Sequence, residues 1–138
     1  MNPIIKNILA VIGGWSGGSF VNMSLVEIGN KVFPIDGLDP NNLESYAAIF
    51  PSLSAKYFIF PFIAHALGTL VGGFVAAMIA AEHKMRYALI VGGVFLLGGL
   101  AVNYMISGPV WFTIVDILFA YIPMAWIGGM LAKSRANN

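Results

Sequence analysis

The sequence predicts an all-α fold, a four-helix transmembrane up-down bundle, and three observations carry that prediction. First, the chain of 138 residues is 59% apolar and only 9% charged, whereas soluble domains carry about a quarter charged residues. Second, the apolar residues form four runs, 7–26, 57–81, 87–115 and 117–132, the last two divided by Ser107-Gly108-Pro109 and by Asp116. Each is near the roughly 20 residues that a helix rising about 1.5 Å per residue needs to cross about 30 Å of hydrocarbon. Third, glycines recur one turn apart in the first two runs, the spacing that lets helix backbones approach closely where lipid offers no hydrophobic drive. Helices are expected at about 6–31, 55–83, 86–106 and 110–133, in a single integral membrane domain covering 1–138.

The first span follows Lys6. A signal peptide has a short apolar core ending at a small-residue cleavage site, but this run continues through Asn22 to Glu27 and reads as a membrane span. It offers two GxxxG pairs, Gly13/Gly17 and Gly14/Gly18.

The loop that follows, "FPIDGLDPNNLESYAAIFPSLSAK", is the only long one. Asp39 reads as an N-cap with Pro40 at the first helical position, and Leu43, Tyr46, Ala47 and Phe50 repeat on one face. A short interfacial helix is expected at about 40–50, on the outer membrane surface. It reads first as an anchor and second as a lid over an external cavity.

The second span carries Gly68/Gly72, the third Gly92/Gly93 and Gly98/Gly99, and the second and fourth contain Pro61 and Pro123, which are expected to kink them. Gly14, Gly18, Gly68, Gly72 and Gly99 are read as packing seams; the alternative, a glycine-lined pore, needs the same residues to face water. A weak repeat pairs "GGSFVNM" with "GGLAVNYM", and "VGGFVA" with "IGGMLA". A duplication would relate two hairpins by an axis along the membrane normal, although glycine-rich helices also match by chance.

Four spans put the termini and the turn Glu82-His83-Lys84-Met85-Arg86 on one side. Lys6, Lys84, Arg86, Lys133 and Arg135 lie there, against Lys31 and Lys56 opposite. The positive-inside rule then makes both termini cytoplasmic, in a multi-pass protein of the cell (inner) membrane. Trp111, Tyr57, Tyr104 and Tyr87 fall at belt positions. The net charge of +1 does not suggest nucleic acid, and the absence of cysteine excludes thiol chemistry. No nucleophile motif, phosphate loop or HExxH is present, and Asn22-Met23-Ser24 lies inside a span, where it means nothing for glycosylation.

Polar residues inside the spans are the candidate site. At about 1.5 Å per residue, Glu27, Asn22, His65, Asn103 and Asp116 lie roughly 6, 14, 13, 6 and 9 Å from the outer helix ends. On the first span Gly13, Gly17, Phe20, Ser24 and Glu27 share a face; on the third Gly92, Leu96, Gly99 and Asn103; on the fourth Thr113, Asp116, Ala120 and Pro123. If those stripes face inward, Glu27, His65, Asn103 and Asp116 converge, with Asn22, Asn103, Tyr104 or Tyr121 completing the network. Buried carboxylates are costly in a membrane and usually paired.

Blander readings stand beside this one. Glu27 is placed to pair with Lys31 at i+4, and His65 with Asp116 is placed to act as structural glue. A metal site of one histidine and two carboxylates lacks ligand spacing, and Glu82 and His83 read as solvated.

"FPFIAHALGTLVGGFVAAMIAAEHKMR" together with "YIPMAWIGGMLA" resembles a group of small uncharacterised four-helix bacterial integral membrane proteins, along most of the chain. The resemblance implies the architecture and brings no activity, substrate or cofactor. The expected function is binding or transport of a proton, cation or small polar ligand in an outer-half pocket, with the lipid bilayer as surroundings and a homo-oligomer building any full pathway. The alternative is a structural or accessory subunit docking a larger membrane protein, or itself, through glycine seams; the third is a membrane enzyme working by acid–base chemistry on a lipid-borne substrate.

Overall fold

A computed structural model describes residues 1–137. The chain forms α1 (Pro3–Val32), α2 (Leu43–Ile49), α3 (Ile59–Ile79), α4 (Lys84–Met105), α5 (Val110–Phe119) and α6 (Ile122–Ala136), with 3₁₀ turns at Phe50–Ser52 and Ala55–Phe58. Taken with the turn before α3 and with α5 and α6 joined, these make four helical spans long and apolar enough to cross a membrane. It is built as a multi-pass membrane protein. Helix α3 is central, with α1, α4 and α6 packed against it and α4 also against α6.

Small residues set the spacing. A Cβ on Gly14 would sit 2.6 Å from the Gly72 carbonyl oxygen, and one on Gly18 2.5 Å from that of Gly68. The reverse also holds, at 2.9 Å for Gly72 on Gly14 and 2.9 Å for Gly68 on Gly18. Backbone therefore meets backbone along the α1–α3 seam, and these glycines are spent inside the bundle. Gly73 meets Ala125 of α6, and Gly128 meets the backbone of Leu70. Large apolar side chains point outward instead, among them Phe20, Leu97 and Leu118, as suits a surface solvated by acyl chains.

Three expectations change here. The buried residues of α1 are Ala10, Gly14, Gly18 and Gly29, so the inward stripe is not that of Gly13, Gly17, Phe20, Ser24 and Glu27. Gly13/Gly17 and Gly14/Gly18 are overlapping pairs one residue, about 100°, apart, and the structure uses the second. The fourth span is two helices rather than one kinked helix. Pro123 has no N–H to give the Phe119 carbonyl, and at Tyr121 (φ −114, ψ −83) the chain leaves helical geometry before α6 starts. Pro61 likewise lies in the first turn of α3, just past the 3₁₀ turn, not in a helix interior.

Helix α2 starts later than Asp39 suggested. Asn42 is its N-cap, its side-chain oxygen accepting from Glu44 N at 3.0 Å, while Asp39 Oδ1 accepts from Asn41 N at 2.9 Å in the preceding turn. Aromatic contacts fasten this segment to the bundle: Tyr46 to Phe50 at 5.3 Å between ring centroids, Phe50 to Phe58 at 5.9 Å, and Phe58 to Phe112 at 4.7 Å. The opposite end is tied by Asn7 Oδ1, which accepts from Ala81 N at 3.0 Å, and by Lys84 Nζ, which donates to the Ala77 carbonyl at 3.2 Å.

Candidate functional site

His65 lies near the start of α3, Asp116 on α5, and Tyr121 at the α5–α6 break. The break decides the arrangement. A continuous helix would carry Tyr121 about 140° around the axis from Asp116, whereas here its ring turns inward and is buried with Asp116. Gly99 of α4 makes room for it, since a Cβ there would lie 2.5 Å from Tyr121 Cζ.

His65 Nδ1 is 2.8 Å from Asp116 Oδ1 and 3.0 Å from Oδ2. The Tyr121 hydroxyl donates to Asp116 Oδ2 at 2.8 Å, and its oxygen stands 3.1 Å from His65 Nδ1. The histidine and tyrosine rings stack at 5.7 Å with 28° between planes. Asp116 is fully buried, while the His65 side chain keeps 21% of its surface. A buried carboxylate needs donors, and this one has two. Because an ionised carboxylate only accepts, the proton between the two side chains is placed on Nδ1 by chemistry.

That placement leaves the other ring nitrogen available. Among the described residues His65 Nε2 has no hydrogen-bond partner, and no buried side-chain nitrogen or oxygen lacks one. Nε2 is therefore open, and His65 borders two cavities. One, of about 180 Å³, lies at the loop end under Tyr46 and Phe50, with Asn103 and Phe112 in its walls. The other, of about 210 Å³, lies deeper between α1 and α4, bordered by Trp15, Asn22, Phe95 and Tyr121.

Comparison with family models, curated proteins and solved structures finds no match. The site stands on its own geometry.

The expected residues are brought together only in part. His65 and Asp116 touch. Asn103 lies in the wall of the upper cavity and is held there, its Nδ2 donating to the Gly99 carbonyl at 3.1 Å and its Oδ1 accepting from Thr113 Oγ1 at 2.7 Å. Asn22 lines the deeper cavity, beside Gly68. Glu27 stands apart, on the outer face of α1, where it pairs with Lys31 at 3.0 Å, the two side chains 71% and 74% exposed. Tyr104 is 89% exposed and takes no part. Tyr121, one of four candidates for completing the network, is the one that does so.

His65, Asp116 and Tyr121 form an oriented imidazole of the kind used for general acid–base work: a carboxylate fixes the Nδ1 proton and the far nitrogen is free to take or give another. The protonated state is an imidazolium facing a carboxylate, a pair with no net charge, which suits a low-dielectric interior.

Proposed function

We propose that this protein takes up a proton or a small hydrogen-bonding ligand at His65 Nε2, reached from outside through the cavity under α2. The observation that supports this reading is that His65 is fixed at Nδ1 by Asp116, has no partner at Nε2 among the described residues, and borders two cavities. A residue serving only as glue between helices has no need of a cavity at its second nitrogen. In this reading the protein sits in the inner membrane with both termini in the cytoplasm, and α2 acts as a roof as well as an anchor. Passage across the whole bilayer would call for a second copy, because the inner half is packed by Gly73, Ala77, Ala88, Ala125 and Ala132.

The test uses the fact that the chain has two histidines. In a His83→Gln background His65 is the sole imidazole, and nitrogen-15 NMR reports Nε2 directly. An Nε2 that takes up and releases a proton reversibly, while Nδ1 keeps its proton unless Asp116→Asn removes the carboxylate, is the expected result. An Nε2 signal that stays in one state whatever the bulk proton concentration, in protein still folded, would remove the basis of the reading.

Acid–base chemistry on a lipid-borne molecule is the second reading, favoured by the position of the deeper cavity between two helices rather than beneath the loops.

A further inference from the structure

The deeper cavity opens sideways. Trp15 on α1 and Val94, Gly98 and Val102 on α4 form its rim, and all four are exposed on the outside of the bundle. Tyr121 and Gly99, both buried, form its floor. In a membrane-spanning chain that outside surface meets acyl chains, so the entrance faces lipid. A Cβ on Gly98 would have nothing within 4 Å, which leaves the middle of the α4 rim low and clear.

Asn22, His65 and Tyr121 bring polar groups to the cleft, while Trp15, Val94, Phe95 and Val102 supply its apolar walls. Asn22 lies about 15 Å below the outer end of α1, at hydrocarbon depth, and its half-buried side chain borders the cleft rather than being sealed in the core. An amide at that depth is unfavourable unless something bonds to it. The Asp116, Tyr121, Asn103 and Thr113 side chains are instead paired within the protein.

We propose that the cleft between α1 and α4 binds the head group of a membrane-dissolved amphiphile, one that carries a carbonyl or hydroxyl oxygen on an apolar body. The Asn22 amide donates to that oxygen and His65 Nε2 is its second hydrogen-bonding partner. The cavity of about 210 Å³ is smaller than the roughly 300–1,000 Å³ that holds a drug-sized ligand. It therefore takes a head group and leaves the apolar body among the lipids beyond Trp15 and Val94. Charged head groups do not suit it, for neither Lys, Arg, Asp nor Glu borders the cleft. The proposal rests on His65 Nε2 being the open atom of the proposed function.

Trp15 on the rim supplies the readout once Trp111→Phe and Trp126→Phe leave it as the sole tryptophan. The protein in lipid vesicles is titrated with a decyl-tailed benzoquinone, which has a carbonyl head and quenches indole fluorescence. A saturable component above the linear collisional background is expected. Asn22→Leu and, separately, Gly98→Phe should each weaken that component by about tenfold; the Gly98 variant serves because open space at its Cβ keeps the fold. Quenching that is linear throughout, or a saturable component unmoved by both substitutions, would overturn the proposal. Nitrogen-15 titration of His65 on the native protein separates the two ideas: probe binding without Nε2 protonation contradicts the proton reading alone, and Nε2 protonation without saturable quenching contradicts the cleft alone.

Discussion

Asp116 has no exposed surface and two donors aimed at it, His65 Nδ1 and the Tyr121 hydroxyl. An asparagine in its place would present one acceptor and a new donor to those same two donors, leaving at least one polar group unpaired. Asp116→Asn is expected to destabilise the protein by about 1–3 kcal/mol, and Tyr121→Phe, which removes one bond and keeps the ring, by about 1–2 kcal/mol. Unfolding in mixed detergent with an increasing fraction of dodecyl sulfate measures both. Gly99→Ala probes the same site without touching a polar atom. Its Cβ would collide with the Tyr121 ring, so the hydroxyl should be pushed off Asp116, with a cost comparable to that of Tyr121→Phe. If Gly99→Ala costs as much in the Tyr121→Phe background as alone, the loss lies in packing rather than in the hydrogen bond.

The helices show which features of the sequence could be read locally. The number, order and approximate ends of the four spans follow from apolar run length, and the glycines named as seams all lie at helix contacts. The register of α1 could not be read, because Gly13/Gly17 and Gly14/Gly18 satisfy the same spacing rule and only the partner's shape selects between them. Glu27 was assigned to the pocket through the unused pair and lies with Lys31 instead. Tyr121 was legible only as one of several nearby hydroxyls and amides, since its direction depends on Pro123 ending α5 and starting α6, not on helical periodicity. Substitution can check the register. Gly18→Ala places a Cβ 2.5 Å from the Gly68 oxygen and 2.8 Å from Phe95 Cζ, and overpacking of this kind costs about 1–3 kcal/mol. Gly17→Ala meets Val75 at an ordinary 3.7 Å and should be neutral or stabilising by up to about 1 kcal/mol through helix propensity. Equal effects in the dodecyl sulfate assay would put α1 in the wrong register. Helix α2 is held through Phe50, so Phe50→Ala should raise amide hydrogen exchange over residues 43–49 by about tenfold while α3 stays protected. Unchanged exchange would mean that the roof is held by something other than the aromatic contacts.

For the whole molecule, the two cavities bordered by His65 lie toward the loop end, and the other half is filled by alanine and glycine contacts around Ala77, Ala88 and Ala132. The cavity under α2 therefore lies toward one end of the bundle, and the charge distribution argues for which side of the membrane that end faces. Lys6, Lys84, Arg86, Lys133 and Arg135 gather at the packed end, with Lys31 and Lys56 at the loop end. Cytoplasmic loops carry the excess of Lys and Arg, so the cavity under α2 should open away from the cytoplasm, and a proton reaching His65 through it should come from outside. A chain without cysteine allows a direct test, because a single introduced thiol is the only target for a membrane-impermeant maleimide. Glu44→Cys in the loop helix should be labelled in intact cells, and Glu82→Cys in the turn before α4 only after the cells are permeabilised; both positions are exposed, so reactivity reports sidedness rather than burial. The reverse pattern would turn the bundle over, make the proton source cytoplasmic, and require the charge at the packed end to be held there by something other than the insertion rule.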